Sequence, residues 1–270
     1  MIRDTGNISH GPVVGIIPAG GFAKRISPLP CSKELYPIGF RNAEECQGVR
    51  PKVVCQYLIE RMARAGVTTT YMVLREGKWD IPAFFGDGTM VSMNLAYLVT
   101  QHNEGPAYTV DQAYPFVKGS LVAFGFPDIL FEPENGFEQV GEHQAKTDAD
   151  IVLGLFRVDR SRSDDRIICD QEGRVTCLIP GPTQEDVDFT WNIAIWKPTF
   201  TEFLHRHLSE REALSQRRVS SPRMEVTMGV VLKAALEHGL RVEAVRFAND
   251  WYLDIGTPGN LVKAVRQFSS

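Results

Sequence analysis

The chain has 270 residues, a net charge of −4 and an isoelectric point near 5.9, enough length for one large α/β domain or two small ones. The acidic balance gives no overall basic field for nucleic acid, whereas a local pocket of Lys and Arg stays compatible with a nucleotide. Cys31, Cys46, Cys55, Cys169 and Cys177 form neither a C-x-x-C pair nor zinc-finger spacing and read as reduced thiols. With a polar N-terminal stretch and no apolar run of the ~18 residues a membrane span needs, the expectation is a cytoplasmic protein.

Residues 1–12 read as a flexible arm. Val13 to Ile17 is an apolar run that breaks at Pro18, the pattern of a buried strand. Gly20-Gly21 follows, then Lys24-Arg25, then Lys33. Glycines let the backbone turn tightly and approach a ligand, and bare amides there suit anionic oxygens. This is a phosphate-handling pattern; an ordinary βα turn with a solvated basic face is the other reading. Residues 36–50 read as loop and turn. Pro51 sits where helices start, and a helix through Arg64 buries Val53, Val54, Tyr57, Leu58, Met62 and Ala65 before Gly66 stops it. Thr68 to Leu74 is β-branched and apolar, a second strand. Strand, loop, helix and strand make a βαβ unit, and such units give parallel sheets.

Asn94 to Thr100 is another strand. Glu104-Gly105-Pro106 ends it, and a helix runs from Ala107 to about Val117. Leu121 to Phe126 is strongly apolar and ends at Pro127-Asp128. That carboxylate would stand at a strand's carboxyl end, the edge where open α/β sheets bind ligands. Ile151 to Phe156 is a central strand. Arg166–Cys169 and Arg174–Ile179 flank Asp170-Gln171-Glu172-Gly173, a hairpin signal that suggests a β-rich insertion. Trp191–Trp196 is a strand, Pro198 opens a helix to about Leu208, and 209–224 is a charged, Ser-rich surface loop. A helix from Glu225 to His238 stops at Gly239. Arg241–Phe247 and Asp250–Leu253 are short strands, Asp254 follows, and Pro258 opens a last helix.

Asp128 and Asp254 each terminate an apolar strand. Two carboxylates facing a phosphate chain can hold Mg²⁺. For either alone a turn or cap aspartate is an equal reading; with the glycine loop, the metal reading is favoured. The six histidines form no metal set. His205 and His207 lie two apart on a helix and face different ways, and His102 reads as a surface residue. Ser32, Ser220 and Ser221 lack a nucleophile-elbow context. Neither a Walker A motif nor a dehydrogenase G-x-G-x-x-G is present.

The segment PAGGFAKRISPLPCSKELYPIG resembles the signature of the sugar-1-phosphate nucleotidyltransferases, such as the thymidylyl- and uridylyltransferases acting on glucose 1-phosphate. The resemblance continues through RPKVVCQYLIERMARAGV, GPAYTV, FPDILF and WYLDIGTPGNL, in order, over residues 13 to 268. It implies an α/β, Rossmann-like, GT-A-like fold: a mixed, mainly parallel central sheet flanked by helices, with a small β-rich sugar-binding insertion. Residues 13–270 would form one domain, 13–160 mainly for the nucleotide and 161–270 mainly for the sugar. Ala19, Gly20 and Gly21 would lie against the nucleotide, with Gln101 and Gly105 beside its base. Arg25 and Lys33 would grip the triphosphate and, with Asp128, be catalytic. Asp128 and Asp254 would hold Mg²⁺, and Asn192 would lie near the sugar. The implied partners are a nucleoside triphosphate, dTTP or UTP, and a sugar 1-phosphate, in a homo-dimer or tetramer.

Four departures accompany this. Ala23 stands where the family has glycine, and Lys24 where it has threonine. Pro180-Gly181-Pro182 replaces the Glu-Lys-Pro element that clamps the sugar phosphate, and Arg166-Ile167 replaces a Tyr-Gly pair. The expectation is that Arg166 or Lys197 supplies the missing charge, or that the acceptor is not an ordinary hexose 1-phosphate. A non-hexose phosphorylated acceptor and a degenerate homologue that binds nucleotide without turnover are the other readings.

Overall fold

The computed structural model describes residues 13–43, 48–101, 104–158, 164–181, 187–216 and 225–268. The expected arm, Cys46, His102, Pro182, Ser220 and Ser221 lie outside the described residues.

The apolar run at the start is strand β1 (Val13–Ala19). A 3₁₀ turn at Lys33–Leu35 leads into a hairpin, β2 (Pro37–Ala43) and β3 (Gly48–Val53). This hairpin corrects the loop expected at 36–50. Pro51 lies in β3 rather than opening a helix, and α1 is Val54–Arg64. Val53, Val54, Leu58 and Met62 are buried as expected, while Tyr57 and Ala65 are half-buried. Next come β4 (Thr69–Arg75), α2 (Asp80–Phe85), β5 (Asn94–Thr100), α3 (Pro106–Asp111), α4 (Tyr114–Val117) and β6 (Leu121–Gly125). The single helix expected over 107–117 is thus two short ones, the second with a proline in its first turn. Then follow β7 (Ile129–Phe131), α5 (Gly136–Thr147), β8 (Ile151–Arg157), β9 (Arg166–Cys169), β10 (Val175–Ile179) and β11 (Phe189–Trp196). Helix α6 runs Pro198–Gln216, so the surface loop expected from 209 is helical to 216. Its Ser-Glu-Arg-Glu-Ala-Leu stretch is rich in helix formers, and its charges sit on an exposed face. The chain closes with α7 (Met228–Glu237), β12 (Val242–Phe247), β13 (Tyr252–Asp254) and α8 (Pro258–Phe268).

One nine-stranded sheet carries the fold. Its main path is β10-β9-β11-β6-β1-β4-β5, with β8 pairing β11 and β12 pairing β8. β1 is parallel to β4 and β6, β4 to β5, and β12 to β8. β11 runs antiparallel to β6 and β8. The hairpin β9–β10 joins the edge of this same sheet. Each face is apolar because alternate residues of a strand point to opposite sides. On one side Val14, Ile16 and Phe124 pack with Ala107 of α3, Phe200 of α6 and Val231 of α7. On the other Ile17, Met72 and Ala123 pack with Leu58 of α1, Ile81 of α2 and Phe137 of α5. Among the described residues no helix is long and apolar enough to cross a membrane.

Gly15 shows how tightly β1 is held. A Cβ there would lie 2.1 Å from the Thr70 hydroxyl oxygen of β4, and that hydroxyl donates to the Met93 sulfur. We expect Gly15→Ala to cost about 1–3 kcal/mol through overpacking. A fall in the urea midpoint at unchanged m-value checks it; an unchanged midpoint contradicts it.

Candidate active site

A cleft of about 550 Å³ opens at the carboxyl edge of β1 and β6. Because these strands are parallel neighbours, the loops that leave them, Gly20–Arg25 and Phe126–Asp128, meet there. Gly105 and Thr109 enter from α3, Lys33 from the 3₁₀ turn, and Thr227–Gly229 from the start of α7. β11 runs the other way, so its early residues Thr190–Asn192 reach the same edge. Asp164, Asp165, Glu225, Asp254 and Gly256 complete the wall.

Asp128 and Asp254 reach the cleft together. Asp254 ends a strand of a separate two-stranded ribbon, where it pairs with Ile129, the residue after Asp128. The Ile255 N–H also donates to the Asp128 carbonyl at 3.0 Å. The two carboxylates are therefore fixed side by side in the backbone. Lys33 Nζ lies 2.5 Å from Asp128 Oδ2, and Arg25 Nη2 is 3.7 Å from Asp254 Oδ2. Burial raises the Asp128 carboxyl, but the Lys33 ammonium and its hydrogen bond win and hold it below the usual aspartate range. Burial also lowers Lys33; the Asp128, Glu34 and Asp254 charges outweigh it, and the ammonium is held above its ordinary value. Among the described residues no group of three or more His, Cys, Asp or Glu converges on a metal position. A pair of hard carboxylates beside a phosphate site suits Mg²⁺, which takes one or two carboxylates and completes its shell with phosphate oxygens and water.

The turn that carries Lys33 is clamped from behind. Asp80 accepts from the Ser32 N–H at 2.6 Å and from its hydroxyl at 2.7 Å. Lys78 Nζ donates to both oxygens of Glu34 at 2.7 Å. Glu34 is fully buried and Lys78 nearly so. Burial pushes Glu34 up and Lys78 down, and each is opposed by the other's charge. The sequence carries no local signal for either clamp, since the partners come from β4–α2.

The glycine loop bends at Ala23, which has φ of +53°. The position where the family pattern has glycine thus keeps a glycine-like conformation with a side chain that disfavours it. The Ala23 carbonyl accepts from the N–H groups of Ile26 and Ser27 and from the Ser27 hydroxyl, which holds the turn. Gly105, at φ +109°, packs under Val226, whose N–H a Cβ would approach to 2.6 Å. This close contact ties α3 to the segment before α7.

At the far end, Asn192 is the extra residue of a β-bulge between Trp191 and Ile193, and bulges re-aim side chains beside sites. It is buried, and its Nδ2 has no partner among the described residues. Asp165 accepts from the Gly181 N–H at 2.9 Å and the Trp191 indole at 3.0 Å. Burial pushes the Asp165 carboxyl up despite these bonds. Asp164 accepts from the Tyr252 hydroxyl at 2.6 Å.

Of the residues singled out from the sequence, Gly20, Gly21, Arg25, Lys33, Gly105, Asp128, Asn192 and Asp254 line the cleft. Ala19 is buried at the end of β1, and Gln101 is exposed after β5; neither lines it. Lys197 follows Trp196, which pairs with Val122 and Ile151 at the opposite end of the sheet. It bonds Asp148 there and supplies no charge to the cleft. Arg166 is buried behind the wall, donating to the Asp164 carbonyl at 2.8 Å.

Two outcomes follow from the clamps. Lys78→Met leaves a buried carboxylate without its partner, and we expect a loss of about 3–5 kcal/mol; thermal unfolding within about 0.5 kcal/mol of the parent contradicts it. Asp128 takes its proton at lower pH in the folded chain than in the unfolded one. Between the ordinary aspartate value of about 4 and that lower native value, the unfolded chain binds more protons, so stability falls as pH falls. Asp128→Asn should flatten this acid slope in denaturant titrations, and an unchanged slope argues against the pair.

Many solved structures share the fold, among them the three that follow. One, from Bacillus anthracis and assigned as a glucose-1-phosphate thymidylyltransferase, was crystallised with sucrose; it has a TM-score of 0.76 at 16% identity over 94% of both chains. A UDP-glucose pyrophosphorylase with UDP-glucose has a TM-score of 0.73 at 16% identity, over 96% of this chain and 99% of that one. An inositol-1-phosphate CTP transferase from T. maritima has a TM-score of 0.68 at 17% identity, over 97% and 98%. No curated protein matches the sequence. The nucleotidyl transferase profile, NTP_transferase, matches residues 14–270. The chain belongs to the nucleotidyl transferase family.

Proposed function

We propose that this protein condenses a nucleoside triphosphate, dTTP or UTP, with a sugar 1-phosphate, releasing pyrophosphate and a nucleotide-diphosphate sugar. In this reading a phosphate oxygen of the acceptor attacks the α-phosphorus in line. The new P–O bond forms as the bond to the β-phosphate oxygen breaks. That nucleophile is already anionic, so no protein base is needed, and catalysis is positioning plus neutralisation of charge. Arg25 suits bidentate contact with phosphate oxygens, and Lys33 acts as a point charge. Mg²⁺, when bound by Asp128 and Asp254, would neutralise charge on the reacting phosphates. Residues 13–160 would then serve mainly the nucleotide and 161–270 mainly the acceptor, in a cytoplasmic homo-oligomer.

The observation that carries this reading is the meeting of Gly20–Gly21, Arg25, Lys33, Asp128 and Asp254 in one cleft. The four ribonucleoside triphosphates and dTTP, each with a panel of sugar phosphates, test it by pyrophosphate release. Asp128→Asn and Asp254→Asn should each lower turnover by a factor of about 100 or more with circular dichroism unchanged. Full activity in either variant refutes its role, and binding of nucleotide without release from any pair favours a non-catalytic homologue.

A further inference from the structure

The cations that the proposed reaction assigns to phosphate oxygens rest on the carboxylates it assigns to a metal. Lys33 Nζ is 2.5 Å from Asp128 Oδ2, and both side chains are largely buried. Arg25 reaches Asp254 across Gly256, where a Cβ would lie 2.8 Å from Arg25 Nη2 and 2.7 Å from Asp254 Oδ1. That contact is looser, at 3.7 Å, and its guanidinium is exposed. The other Asp254 oxygen accepts from the Gly256 N–H at 2.6 Å.

Lys33 cannot serve two anionic partners at once. An ammonium at hydrogen-bond distance from a carboxylate oxygen fills the space a divalent ion would take, and repels it. The ammonium is a compact charge on a flexible four-carbon stem. It can therefore exchange one anionic oxygen for another while the turn that carries it stays clamped by Ser32–Asp80 and Glu34–Lys78. Lys24, which also lines the cleft, is placed differently. Its Nζ lies 5.3 Å from the centre of the Phe22 ring, and among the described residues no carboxylate pairs with it.

We propose that Lys33 is an internal competitor for the metal position. It holds Asp128 closed until a triphosphate draws the ammonium away, so that divalent ion and triphosphate open the site for each other. This rests on the nucleotidyltransferase reading above. Lys33 exchanges the Asp128 carboxylate for a phosphate oxygen, with no covalent bond made or broken and no proton transferred. Buried charge stays paired in both arrangements, as a site this far from water requires. The coupling is reciprocal: by whatever factor Lys33 weakens a divalent ion at Asp128, Asp128 weakens a metal-free triphosphate at Lys33.

The test measures the two halves of that exchange separately. Mn²⁺ alone, followed by electron paramagnetic resonance, is titrated into the parent, Lys33→Met and Lys24→Met. Inorganic tripolyphosphate, without divalent metal, is titrated by calorimetry into the parent, Asp128→Asn and Asp254→Asn. Lys33→Met should bind Mn²⁺ about tenfold or more tighter than the parent. Lys24→Met, which removes the same charge from the same cleft, should gain less. Asp128→Asn should bind tripolyphosphate about tenfold or more tighter than the parent, and Asp254→Asn, whose pairing is looser, should gain less. The two controls separate a released contact from a mere change in net charge. Lys33→Met leaves Asp128 buried without its partner, so Asp128→Asn decides alone if that variant does not fold. A gain in Lys33→Met no larger than in Lys24→Met, or in Asp128→Asn no larger than in Asp254→Asn, overturns the inference, and pyrophosphate release by the parent then keeps the nucleotidyltransferase reading intact. No binding of tripolyphosphate to the parent or to Asp128→Asn overturns both.

Discussion

The ion pair between Lys33 and Asp128 is the constraint on which the cleft depends. Both groups are largely removed from water, so each would be expensive alone, and removing one strands the other. Their pairing joins the turn after the glycine loop to the end of β6. The turn is locked from behind by Glu34–Lys78 and Ser32–Asp80, and the β6 loop is locked to Asp254 through Ile255. A chain of short polar contacts therefore runs from α2 to β13. It holds two cations and two carboxylates in a region that folding alone would prefer to keep apolar.

Sheet direction explains which residues this chain collects. Parallel β1 and β6 deliver the glycine loop and Asp128 to one edge, and antiparallel β11 delivers its beginning rather than its end. Asn192 thereby faces the cleft, and Lys197 is carried to the far side. The cleft so assembled mixes charges, Lys24, Arg25 and Lys33 lining it together with Asp128, Asp164, Asp165, Glu225 and Asp254.

Much of this was legible in the sequence because it is local. An apolar run that stops at glycines or at Pro-Asp marks a strand end, and strand ends are where the cleft lies. Lys197 misled because its place depends on the direction of β11, which hydrophobic pattern does not encode. The β2–β3 hairpin escaped because Phe-Arg-Asn-Ala-Glu-Glu lacks alternation, and β7 because it has only three residues. Glu34–Lys78 and Ser32–Asp80 join residues more than forty positions apart, beyond the reach of any periodicity. The conformation of Ala23 was hidden for another reason: alanine seldom adopts positive φ, so only the backbone reveals that the loop keeps a glycine-like turn.

In the proposed function Asp128 and Asp254 would form half of a metal site whose other half is a triphosphate. Two carboxylates, one of them paired to Lys33 and the other near Arg25, bind a divalent ion weakly by themselves. The most direct measurement is Mn²⁺ binding to the intact protein, followed by electron paramagnetic resonance, with and without a non-hydrolysable dTTP or UTP analogue. The account predicts weak binding of Mn²⁺ alone, tightening by about tenfold or more with the analogue, and loss of that increment in Asp254→Asn. Equal affinity for Mn²⁺ with and without the analogue, or an increment that survives Asp254→Asn, would contradict it.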